Sequence, residues 1–254
     1  MTGAKPIDAS TAAVVHELAP TGRLRVAVNY GNPVLAQPDA STGQPRGISV
    51  DLARELAARL GVDLEFVIFE AAGRVFEALG SSLWDVAFLA IDPVRAAEMS
   101  FTAPYLLIEG TYVVPVGSPL QDIEDFDRAG VRIAVGRGAA YDLFLTRTLK
   151  RAALVRADTS SAALDLFLSQ RLDAAAGVRQ PLMAFAQAHG GLRVIDRSFT
   201  SIRQAMAIPN GRERGLRYLE GFIEEMKASG FVAAALARSG QTAALVAPPA
   251  GSPR

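Results

Sequence analysis

The sequence predicts an α/β protein of two lobes, without one continuous sheet running through both, and with a cleft between them. Three observations carry that prediction. Apolar runs of strand length alternate with helical runs, the alternation restarts after Gly130, and the last helices match the needs of the first unit rather than the second. A chain of 254 residues has room for two modest units.

The elements follow in order. Asp8 to Leu18 is predicted as an amphipathic helix lying on a lobe. LRVAVNYG, Leu24 to Gly31, is an apolar run ending in turn residues, as a buried strand should. Residues 39–47, DASTGQPRG, are dense in turn formers and predict a hairpin-like excursion. In ISVDLARELAARLG, Leu52, Leu56 and Leu60 recur every four residues to form one helical face, and Gly61 stops the helix. LEFVIFE is the next strand and Gly73 to Leu79 a short helix. DVAFLAI, residues 85–91, does not alternate, so burial on both faces in a parallel sheet is expected. TYVVPVG, residues 111–117, is a strand, and residues 118–130 a polar connection.

After Gly130 the pattern begins again. VRIAV is a strand, GRGAAYD a glycine turn into a helix, ALVRAD a strand, SSAALDLFLSQR a helix and LDAAAGV a strand. QPLMAFAQAHGG is a helix with a glycine stop; LRVID and IRQAMAIP are strands. Gly215 to Ser229 forms a long helix with Leu216, Leu219, Phe222, Ile223 and Met226 on one side, and Phe231 to Arg238 a short one. APPAGSPR has the composition of a disordered tail.

Composition narrows function. Acidic and basic residues cancel, 26 against 26, which leaves no electrostatic footprint for nucleic acid or anionic lipid. Cysteine is absent, removing disulfides, thiolate metal sites and cysteine nucleophiles. The two histidines, His16 and His189, do not suggest a metal cluster. No stretch approaches the ~18 apolar residues of a membrane span, and Asp8, His16 and Glu17 interrupt any leader-like core. The expectation is a protein with no export signal in this chain, acting in the cytoplasm or carrying a leader before this numbering.

The segment FLAIDPVRAAEMSFTAPY, Phe88 to Tyr105, carries the chemistry. Arg95 stands just past an Asp-Pro turn at the end of an apolar strand. A guanidinium keeps its charge and matches carboxylate geometry with paired donors. On the residues alone two readings are open: a ligand anchor, or a structural arginine capping the Asp92-Pro93 helix or pairing with Glu98.

The pieces GISVDLA, WDVA and RAAEMSFTAPY, in that order, resemble family 3 extracellular solute-binding proteins, the amino-acid receptors of bacterial ABC importers. The resemblance spans Leu24 to Gly240. It implies the two-lobed type II periplasmic-binding-protein fold, a Venus-flytrap with two crossing strands near Gly110 to Val113 and Gln204 to Ile208. The implied boundaries are an N-terminal extension over 1–19, a first lobe over 20–110 plus 207–240, a second over 111–206, and a disordered tail over 241–254.

The resemblance implies that Arg95 grips a ligand carboxylate beside the Ala90 loop. The turn Gly138-Ala139-Ala140 would add backbone N–H groups from the second lobe, while Asn29, Tyr30 and Asn32 would surround the ligand's body. Two departures stand out. Phe88-Leu89-Ala90 lacks the family's usual hydroxyl, and Val178 replaces the aspartate that holds an α-ammonium, with Arg179 next to it. Arg179 either faces the cleft as a second anion anchor or starts its helix pointing to solvent.

The implied function is capture of a small carboxylate-bearing ligand, without catalysis or cofactor, by a monomer that hands it to an ABC permease. No nucleic acid or membrane insertion is implied. A dehydratase-like enzyme on the same fold is the alternative, but Pro181 occupies the place of its glutamate, leaving Asp92, Glu109 or Asp142 as other acids. A cytoplasmic sensor would share the ligand chemistry and differ only in partner.

Overall fold

The computed structural model describes residues 9–241 and 244–251. Helix α1 (Ala9–Leu18) precedes strand β1 (Arg23–Asn29), the hairpin of β2 (Gln37–Pro38) and β3 (Pro45–Arg46), helix α2 (Ile48–Leu60) and β4 (Asp63–Phe69). Then come α3 (Ala72–Glu77), β5 (Val86–Ala90), α4 (Pro93–Ala96), β6 (Met99–Phe101) and the ten-residue β7 (Leu106–Pro115). The second unit runs β8 (Arg132–Gly136), α5 (Ala140–Thr148), β9 (Ala153–Ala157), α6 (Ser160–Ser169), β10 (Ala174–Val178), α7 (Arg179–His189) and β11 (Leu192–Val194). The chain returns through β12 (Thr200–Pro209) to α8 (Glu213–Ala228), α9 (Phe231–Arg238) and β13 (Leu245–Val246).

The first lobe is built on β4-β1-β5-β12, with β1 parallel to both β4 and β5. The second is built on β7-β10-β8-β9, with β8 parallel to β9 and β10. Between them β7 and β12 cross side by side, antiparallel, pairing Leu106 to Gly110 with Gln204 to Thr200. The hydrogen-bonded ladder therefore runs unbroken through both lobes, where two separate sheets were expected. Its cause is local: two crossing strands that touch satisfy their backbone groups against each other.

β5 is buried at every position, as its lack of alternation requires. It is parallel only toward β1, however, since β12 lies antiparallel on its other side. The α2 face packs as the spacing predicts, with Leu52, Leu56 and Leu60 removed from solvent. Each such leucine contributes about 1.5–3 kcal/mol. Gly61 ends the helix in the left-handed region, at φ 66°, donating to the Ala57 and Ala58 carbonyls. Helix α1 packs on α8, where the Glu17 carboxylate accepts the Gly215 N–H at 2.8 Å; Asp8, expected as its first residue, lies outside the described residues.

The tail departs from expectation. Over 244–251 it is ordered rather than disordered: β13 adds to the edge of β7, and the Ala247 N–H donates to the Tyr105 carbonyl at 3.0 Å. Lys227 Nζ donates to the Pro248 carbonyl at 2.9 Å, and the Ala250 N–H to Glu224 at 3.2 Å. A proline-rich segment needs no ladder of its own when a crossing strand and a helix end offer it partners.

Candidate functional site

Arg95 is placed by its local sequence. Asp92 has extended backbone, as a residue before proline prefers, and its side chain accepts the Val94 N–H at 2.9 Å. Pro93 starts the single-turn helix α4, which turns Arg95 inward until 1% of it is exposed. Its Nη1 donates to the Ala90 carbonyl of the same lobe at 3.0 Å, and its Nη2 to the Gly138 carbonyl of the other lobe at 2.8 Å. Its Nε is buried and has no partner among the described residues. Burial pulls the guanidinium down to about 10, against the raising influence of Asp92. It stays charged at neutral pH, with one of its three nitrogens making no hydrogen bond among the described residues.

The second lobe meets it through the turn after β8. Gly138 sits at φ 68°, and a Cβ there would come within 2.9 Å of Gly73 Cα across the cleft. The lobes thus touch backbone to backbone, an approach that only glycine allows. The expected nest of N–H groups is altered: the Gly138 N–H goes to Asp142 at 2.8 Å and the Ala139 N–H to Gly136 at 3.1 Å. Gly138 therefore offers Arg95 a carbonyl instead of offering an anion a donor. Asp142 is held in turn by Arg156 Nε at 3.0 Å.

Around Arg95 lies a cavity of about 40 Å³. Of the residues expected at the site, Asn29, Asn32, Ala90, Arg95, Ala139, Ala140 and Val178 line it. Asn29 and Asn32 turn their oxygens to the N–H groups of Gly31, at 2.9 Å, and Val34, at 3.3 Å. Neither amide nitrogen has a partner among the described residues. Tyr30 lies outside the lining, packed against the core.

Arg179 is a correction. It is the first residue of α7, pairs with Glu109, and donates to the carbonyls of Ile195 at 3.2 Å and Asp196 at 2.6 Å. With its fork fully engaged outside the cavity, it is not a second anion anchor here.

Three cavity groups went unanticipated. Tyr141 donates to the Ser160 hydroxyl at 2.8 Å, and burial raises the pKa of its phenol. Gln204, on β12, is 4% exposed, and its side-chain oxygen is buried without a partner. The signal for it was a polar residue opening the apolar run AMAI. Among the described residues no aspartate or glutamate lines the cavity, so it joins the buried Arg95 and the exposed Arg137 with neutral hydrogen-bonding groups.

A further cross-cleft contact joins Asp92 to Arg147 of α5 at 2.7 Å.

Solved structures share this architecture. The solute receptor for L-cysteine of Neisseria gonorrhoeae superposes with a TM-score of 0.77 at 26% identity, over 91% of this chain and 93% of that one. An ancestral amino-acid-binding protein, AncCDT-1, described as a precursor of cyclohexadienyl dehydratase, gives 0.74 at 25% identity over 88% and 98%. A mutant of ArgBP from T. maritima gives 0.76 at 24% identity over 89% and 99%. Residues 24–241 match the family profile, and with the fold and the arginine-floored cleft in place the chain belongs to the bacterial extracellular solute-binding proteins, family 3.

Proposed function

We propose that the chain is a binding protein whose lobes close on a small carboxylate lacking an α-ammonium group, for delivery to an ABC-type permease. One observation supports this above the others: among the described residues the buried Arg95 keeps an unpartnered Nε and no acidic side chain lines the cavity around it. A depression from 12.5 to about 10 corresponds to on the order of 3 kcal/mol of uncompensated burial. A ligand carboxylate removes that penalty. An ammonium would enter the same cavity without an anion to receive it, at a cost of several kcal/mol.

The cavity's 40 Å³ holds roughly three waters, so the ligand enters an opened cleft. It then takes Arg95 Nε and Nη2 as a side-on fork, replacing the Gly138 carbonyl, while Nη1 stays on Ala90 and fixes the plane. Val178 lies against the ligand where the family's usual aspartate would stand. Closure is then a population shift powered by contacts that need both lobes. The neighbours named for cysteine or amino-acid binding support the carboxylate as the anchored element of the ligand; an α-ammonium would find no acid in the lining of this cavity. Lobe limits of 20–110 plus 207–240 and 111–206 are part of the same reading, as are a monomer and the periplasmic setting implied by the family's description.

Binding is favoured over dehydratase-like catalysis because a general acid must reach the reacting atom. Asp92 is spent on Val94 and Arg147, Glu109 on Arg179, and Asp142 on Gly138 and Arg156. Calorimetric titration with matched pairs, succinate against aspartate and lactate against alanine, tests the proposal. Each acid is expected to bind at least tenfold more tightly than its amino counterpart, and the reverse order overturns the reading.

A further inference from the structure

The crossing ribbon has a second face. Strand alternation puts Gln204 on the Arg95 side of β12 and Ser201 and Arg203 on the other, with Arg203 beside Leu107 of β7 and Ile202 between the two cavities, lining both. There they line a second cavity, of about 660 Å³, which shares Ala140 and Ile202 with the first. Asp92 and Pro93 of the first lobe form one wall, Phe144 and Arg147 of the second lobe the other. Pro248 to Gly251 roof it, held by the Lys227 and Glu224 hydrogen bonds already described.

The volume lies within the range of ~300–1,000 Å³ typical of small-molecule sites. Its chemistry is one-sided. Arg203 makes no ion pair and no side-chain hydrogen bond among the described residues, and the one acid in the lining, Asp92, is already paired with Arg147. The Ser201 hydroxyl stands two residues from Arg203 on the same strand face. The remaining surface is mostly apolar, with Ile91, Leu107, Phe144 and four prolines prominent.

We propose that this cavity is a second binding site, for a small anion with a flat apolar body such as an aryl carboxylate. Arg203 forks the carboxylate and Phe144 and the prolines cover the ring. Because its walls come from both lobes and from the strands between them, an occupant favours the closed arrangement. It therefore strengthens binding at Arg95, and the ligand at Arg95 strengthens binding here by the same factor.

Phenylacetate is the probe, with phenylacetamide as its uncharged counterpart, measured by ligand-observed NMR on the wild type and on Arg203→Gln, Ser201→Asp and Arg95→Lys. The two substitutions in the second cavity are at exposed positions, and a melting curve checks that each variant folds. Phenylacetate is expected to bind the wild type at least tenfold more tightly than the amide. With succinate saturating the Arg95 cleft, it should weaken at least tenfold in Arg203→Gln and in Ser201→Asp, while its loss in Arg95→Lys without succinate measures the share held in the cleft. No binding of phenylacetate at millimolar concentration, equal binding of the amide, or a loss in Arg95→Lys with Arg203→Gln unaffected overturns the proposal.

Discussion

Replacing Arg95 by Ala separates binding from stability, and the structure sets both magnitudes. At neutral pH the guanidinium lies about three units below its pKa of about 10, so it carries its charge into the cavity. A bound carboxylate would take Nε, now without a partner, together with Nη2. Losing that fork leaves a carboxylate buried unpaired, at a cost of about 2–5 kcal/mol, or roughly thirty- to several-thousand-fold in affinity. Lysine restores only part, because a point charge cannot reproduce two parallel donors. Unliganded stability should change much less. The variant loses two charged hydrogen bonds, to Ala90 and Gly138, but also the burial penalty of on the order of 3 kcal/mol. The two nearly offset, so urea unfolding should shift by no more than about 2 kcal/mol. Calorimetry with the best-binding acid and unfolding of both variants check this together. An affinity loss below about fivefold, or a stability loss equal to the binding loss, refutes the reasoning.

Other outcomes follow from the same site. Val178→Asp puts an anion where an ammonium would sit and improves the cap of α7, so calorimetry should show amino acids gaining at least tenfold over their deaminated analogues. Gly138→Ala forces a side chain into the left-handed region and against Gly73, so X-ray scattering should show a more open molecule, with weaker ligand binding. Carboxylate affinity should be flat from about pH 6 to 9 and fall as pH rises through about 10, because only the protonated guanidinium binds and burial has lowered its pKa.

The sequence displayed the framework through residues whose burial leaves a pattern. β5 and β10 are buried at every position and read as unbroken apolar runs. The leucines of α2 read as a stripe. Arg95 was legible because a charge at the end of such a run is out of place unless it is used. β6 and β13 were not legible, since they have three and two residues and exist only because β12 and β7 offer them an edge. Arg179 misled for a related reason: Glu109, which captures it, is 70 residues away and is joined to it only by the crossing strands. Gln204 was missed because one polar residue in a strand does not say which face it occupies; the register with Leu106 and Ala90 decides that.

The most direct measurement is the proton resonance of Arg95 Nε–H in ¹⁵N-labelled protein, assigned by its disappearance in Arg95→Lys and followed while succinate or lactate is added. A group with no acceptor in the unliganded cavity should move strongly downfield and slow its exchange with water as it gains a carboxylate, and alanine at equal concentration should leave it in place. An Nε–H resonance unmoved when the acid saturates the protein, or moved equally by alanine, contradicts the account.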